Sequence, residues 1–227
     1  VHIVTRHGGD FNSGHDIRYR RRNSSGSWDR NYLVGSPVRR NYVVGVTVAD
    51  GHVYLATSRG GDNVWGEIVL WEAGETSATH LGNLSGIWRS DCDYRLRASG
   101  SRVYLGAGQP DPDGTVSLLH ATAGADLVSR LAASTQTHRA GEGRRGFCDI
   151  FIDDTGEAHL TYGAFHRAFY NRYDSAGSRI HGSDINIASE LGDWHISAGI
   201  SAVGASDDGS LVLAMVLRSP GNQTASD

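Results

Sequence analysis

Asp50–Thr57 reads DGHVYLAT: a tight Asp-Gly turn, then a run of β-branched, aromatic and aliphatic residues that is too short for a helix and suits a strand. The same phrase returns as SGSRVYLGA around Val103, TGEAHLTYG around Ala158 and DGSLVLAMV around Leu211. The spacing is about 50 residues each time, the period of a propeller blade. A short alternating run precedes each copy: VGVTVA, YRLRAS, DIFIDD and ISAVGAS. Another follows each of the first three: GEIVLWEAG, TVSLLHATAG and AFYNRYDSAG. A weaker fourth run comes next, as in THLGNL and DINIAS. No long segment carries helical spacing. Four short strands per period predict an all-β fold, a β-propeller with four-stranded blades.

The blade pieces fall at about 1–36, 37–86, 87–137, 138–190 and 191–227 of a single propeller domain or propeller fragment. VHIVTR at the start matches a second strand, and LVLAMVLRSP near the end matches another. That makes three whole blades and two partial ones. Either the ends join to close a five-bladed ring, or further blades come from sequence outside these residues. The absence of an initiator Met favours the second expectation. The period also explains why YRRRNSSG (Tyr19–Gly26) reappears as YNRYDSAG (Tyr170–Gly177). Both are the third strand of a blade with its following turn, three steps apart.

Composition agrees. The chain has 227 residues, enough for one sizeable core, with 30 Gly and only 4 Pro, a balance suited to many tight turns. Its net charge of −4 gives no global attraction to nucleic acid or anionic membrane. No apolar run is long enough to span a membrane as a helix. All 21 basic residues are Arg, so every lysine-or-arginine cation is a planar fork suited to carboxylate or sulfate.

DIRYRRRNSSGSWDR, from Asp16 to Arg30, resembles the Asp-box region of BNR-repeat, sialidase-like propellers, whose turn reads Ser-x-Asp-x-Gly-x-x-Trp. Gly26 and Trp28 match, although Gly26 is one residue closer to Trp28 and no Asp occupies the turn. AHLTYGAFHRAFYNRYDSAG is similar to propellers of polysaccharide lyases of the ulvan-lyase type, in which a strand ending in Tyr-Gly leads into a His-bearing turn. The resemblance covers most of the chain as a blade pattern. It implies a secreted, carbohydrate-active protein.

Function on a propeller draws on the loops entering each first strand and on the hairpins between second and third strands. In the entry loops Arg39, Arg89 and Arg144 recur at the blade step. Converging guanidinium groups would bind a uronate carboxylate; alternatively they pair with Asp91, Asp93 or Asp149 to bolt blades together. The hairpin YGAFHR supplies a catalytic set for β-elimination: His166 as base, Tyr162 as acid, and Arg167 or Arg144 to neutralise the carboxylate. Trp88, Trp194, His138 and His195, all expected in entry loops, complete the substrate-binding candidates. No cofactor is expected and no metal ligands are assigned, although His7, His15, Asp10 and Asp16 in the first hairpin would suit a structural ion. Cys92 and Cys148 are one blade step apart; they read as free, buried thiols, the alternative being a disulfide between neighbouring blades.

The leading expectation is a lyase acting on an acidic polysaccharide. The alternative is a non-catalytic, lectin-like or adhesion propeller using Trp and Arg alone. Hairpins that differ from blade to blade favour one asymmetric site, as in an enzyme.

Overall fold

The computed structural model describes residues 1–7, 16–35, 41–59, 66–88, 94–108, 115–139, 147–164, 167–183, 185–187, 195–205 and 210–218. Five antiparallel sheets follow one another along the chain, each a simple up-and-down meander. The first holds β1 (His2–His7), β2 (Asp16–Arg22) and β3 (Trp28–Leu33). The second runs β4 (Asn41–Ala49), β5 (His52–Arg59), β6 (Gly66–Ala73) and β7 (Ala78–Trp88). The third contains β8 (Tyr94–Ser99), β9 (Arg102–Gly108), β10 (Thr115–Thr122) and β11 (Gln136–Arg139), with helix α1 (Leu127–Ala133) between its last two strands. The fourth is β12 (Phe147–Ile152), β13 (Ala158–Ala164), β14 (Arg167–Tyr173) and β15 (Ile185–Asn186), and the fifth pairs β16 (His195–Ala205) with β17 (Leu211–Arg218). These are propeller blades, three whole and two partial. The strand periodicity of the sequence had called for that fold class.

The chain divides into two compact units. The first comprises Val1–Ser90, Arg95–Leu105 and Leu119–Thr135; the second comprises Asp91–Tyr94, Gly106–Leu118 and Gln136–Asp227. In the first unit Ile17, Tyr19, Val34, Val53 and Leu55 form a buried cluster, flanked by Val4, Tyr32, Val46 and Trp71. Gly35 is obligatory here: its φ is +74°, and a Cβ would stand 2.7 Å from the Trp71 ring. The second unit buries Leu118, Ile150, Leu160, Tyr162 and Tyr173, among others.

The repeated phrase folds into a repeated turn. In Asn23–Ser27 the Asn23 amide donates to the Ser27 carbonyl, and its side-chain oxygen accepts from the Ser27 amide at 2.9 Å. Asp174 does the same with Ser178 (2.7 Å to its carboxylate), and Asp153 with Glu157 (2.9 Å). The glycine at the fourth position has a φ of +84° in all three turns, Gly26, Gly156 and Gly177. An Asx side chain closes the loop and a glycine accepts the left-handed turn, which is why Asn/Asp-x-x-Gly recurs in the sequence.

Helix α1 was not expected. Only Leu127 and Leu131, one turn apart, are buried on it, and two apolar residues in seven make no visible period. Val128 packs where Gly82 leaves room: a Cβ on Gly82 would meet it at 3.2 Å.

Candidate functional site

Within each sheet the alternation of strand direction puts the segments entering β4, β8, β12 and β16 at the same end as the hairpins joining second to third strands. This is the end where the sequence located the candidate site. Arg39, Arg89, Arg144, His166 and Trp194 fall in those connections and lie outside the described residues. Trp88 is the last residue of β7, and His195 opens β16. Arg167 is not at a turn tip but opens β14, paired with Ala164 of β13, so that only residues 165 and 166 join the two strands. Cys92, Asp91 and Asp93 also lie outside the described residues, as do His15 and Asp10 of the first hairpin.

Two candidates are relocated by the structure. His138 belongs to β11, opposite Val116 of β10, and not to an entry loop. It is only 3% exposed, and its Nε2 lies 2.5 Å from the Tyr173 hydroxyl. Tyr162 does not end its strand, which continues to Ala164. Its ring is wholly buried, 5.0 Å from the His138 ring and stacked 5.4 Å from Phe169. Both are core side chains that tie β11 to the fourth sheet, because alternation in β13 points Tyr162 into that core. A phenol with no exposed surface cannot reach a polymer's leaving oxygen. Asp149, offered as a partner for the entry-loop arginines, is also buried, with Oδ2 3.2 Å from the Val203 amide of β16.

The described residues bring together two other polar groups, both at the opposite ends of their sheets. In the first unit, His2, Arg21, Arg30, His52, Glu72 and Glu75 line an open groove of about 390 Å³. Its charges are largely satisfied. Arg21 pairs with Asp29, holding that carboxylate below its ordinary range, and Arg30 spans the Gly74 carbonyl and Glu75. His52 Nδ1 is 2.6 Å from Glu72. The Tyr32 phenol, donating to the Gly74 carbonyl, is pushed up to about 12, chiefly by burial.

In the second unit His159 is 4% exposed and sits between two partners. Its Nδ1 is 2.8 Å from the Tyr170 hydroxyl and its Nε2 is 3.1 Å from Asp153 Oδ2. Burial works against the Asp153 carboxylate, yet hydrogen bonds from Thr155, His159 and the Glu157 amide hold its pKa below the ordinary value. Glu157, beside it, pairs with Arg172 at 3.1 Å. The spacing Asp153-x-x-x-Glu157-x-His159 was legible in DDTGEAH, but the alternating pattern presented it only as a strand with its turn.

No family model matches the sequence, and no curated protein does. Among solved structures, a protein from Lactobacillus plantarum superposes with a TM-score of 0.50 at 11% identity, covering 94% of this chain and 65% of that one. The likeness is one of fold. The NanB sialidase of Streptococcus pneumoniae (TM-score 0.49, 8% identity, 88% of this chain and 32% of that one) and prolyl oligopeptidase B of Galerina marginata (0.47, 12%, 93% and 28%) are further matches. The chain thus spans less than two thirds of the length of each.

Proposed function

We propose that the chain is a carbohydrate-active propeller of a secreted protein that binds an acidic, uronate-containing polysaccharide and cleaves it by β-elimination. The observation that supports this is the recurrence of Arg39, Arg89 and Arg144 in the segments that lead into three successive first strands. Guanidinium groups repeated at one end of successive blades suit a polymer that carries a carboxylate on repeating sugars. Neutralising that carboxylate acidifies the neighbouring C5–H, the step on which elimination depends. His166 takes the C5 proton. With Tyr162 sealed in the core, the same imidazole returns the proton to the departing C4 oxygen, and a C4–C5 double bond forms. This chemistry calls for no cofactor. Burial of Tyr162 equally favours a second reading, a non-catalytic glycan-binding propeller, because it removes one half of the acid–base pair.

Incubation with ulvan, alginate, pectin and glycosaminoglycans, followed by the ultraviolet absorbance of unsaturated uronate, separates the two readings. A rise on one polymer that disappears in His166→Ala supports elimination. A flat trace with retained binding on a glycan array supports the second reading, and no binding to any uronate polymer or to the array removes both.

A further inference from the structure

Among the described residues the Asx turn is built three times, and only one copy carries ligating groups at both its fifth and its seventh position. Asn23 is followed by Ser27 and Asp29, and Asp174 by Ser178 and Ile180, whereas Asp153 is followed by Glu157 and His159. The turn itself needs only the Asx side chain and the glycine, so Glu157 and His159 are additions to a scaffold that closes without them. One oxygen of Asp153 is fully engaged by the turn: Oδ1 accepts from the Thr155 amide and hydroxyl and from the Glu157 amide. The other, Oδ2, faces His159.

A second comparison inside the molecule isolates the histidine. His2 and His159 hold the same register, opposite Arg21 and Arg172, and each presents Nδ1 to a tyrosine hydroxyl, Tyr19 at 2.7 Å and Tyr170 at 2.8 Å. The ring pairs match as well, with centroids 6.0 and 6.1 Å apart and interplanar angles of 18° and 21°. The histidine–tyrosine pair is therefore a repeated structural device. What differs is the outward nitrogen: in the fourth sheet Nε2 meets a carboxylate and has a second one close by.

We propose that Asp153, Glu157 and His159 form a binding site for a divalent transition-metal ion, for which Zn²⁺ is the fitting probe. One ligand atom from each lies within 4.8 Å of the others. Two ligands at Zn²⁺ bond lengths in a tetrahedral site stand roughly 3.3 Å apart, close to the Oδ2–Nε2 separation of 3.1 Å. Glu157 keeps Oε2 on Arg172 and offers Oε1. In the metal-bound form the neutral imidazole carries its single proton on Nδ1, which donates to Tyr170, the outer hydrogen bond that orients a metal-bound imidazole, and the Nε2 lone pair takes the ion. One imidazole with two carboxylates favours Zn²⁺ over Ca²⁺, which takes oxygen ligands alone. The ion would clamp the β12–β13 hairpin.

The test is a Zn²⁺ titration of the chelator-treated full chain against its variants, with folding followed by circular dichroism. His159→Gln is expected to bind one equivalent fewer than wild type, and His2→Gln the same number as wild type. Tyr170→Phe is expected to keep the equivalent with affinity reduced about 10- to 100-fold. If His159→Gln does not fold, Glu157→Gln decides, because the turn uses the Glu157 amide and not its side chain; it is expected to bind more weakly. Wild-type stoichiometry and affinity in folded His159→Gln, or in Glu157→Gln where the histidine variant does not fold, would overturn the site.

Discussion

The first and fourth sheets solve the same local problem with the same parts and then diverge. Each lays a tyrosine of its third strand beneath a histidine of its second, and each follows that third strand with an Asx-x-x-Gly turn. Around His2 the neighbours are cationic. Burial first, then Arg21 and Arg30, hold its pKa below the ordinary value, with Asp29 opposing. Around His159 stand the carboxylates Asp153 and Glu157, with the cross-strand Arg172 held by Glu157. The contrast teaches that the blade repeat preserves packing and turn geometry, while chemistry is set by residues the repeat leaves free.

The comparison breaks most readily at the tyrosines. Tyr19→Ala and Tyr170→Ala are each expected to cost about 3–5 kcal/mol, as for other buried aromatics. Tyr19 should cost more, since it is fully buried and packs on Tyr32 at 5.3 Å, whereas Tyr170 is 8% exposed. Urea midpoints in the reverse order would contradict this.

The turns come next. Alanine at Gly26, Gly156 or Gly177 places a side chain at φ +84°, a strain of about 1–3 kcal/mol. Three losses of similar size are expected in thermal melts. One turn tolerating alanine freely would show that the three are not equivalent.

Removing only the hydroxyls sharpens the comparison further. Tyr170→Phe loses one hydrogen bond, to His159, about 1 kcal/mol, whereas Tyr19→Phe loses one to His2 and one from the Arg30 guanidinium. The Tyr19 variant should therefore lose more. Equal losses would show that the Arg30 bond contributes nothing.

The smallest effect is one of pH. A histidine whose folded pKa is depressed binds fewer protons folded than unfolded in the interval below 6.5. The stability His2 contributes is therefore complete above that pH and is lost as pH falls toward the folded value. Melting temperatures of wild type should decline more steeply on acidification than those of His2→Gln; parallel curves would remove His2 as the cause.

Much of this was legible in the sequence. The strand repeat gave the blades, because alternation and Gly turns are written in every copy from Val53 to Leu211. Helix α1 was not legible, since its two buried leucines contact particular neighbours without repeating. The site was legible only as loop membership. Tyr162 and His138 were read as loop-end groups because strand ends are invisible in the local sequence, and extending β13 and β11 by about two residues puts both side chains in the core. The Asp153–Glu157–His159 cluster was hidden for the opposite reason: its members looked like ordinary turn and strand residues until the hairpin folded them together.

The central functional claim is recognition of carboxylates by the arginines of the entry segments. The direct measurement is the affinity of the full chain for one uronate polysaccharide and for the same polymer with its carboxyl groups reduced to alcohols, repeated with Arg89→Gln. Strong preference for the native polymer is expected, weakened by salt and by the substitution. Equal affinity for the two polymers, unmoved by Arg89→Gln, would contradict it.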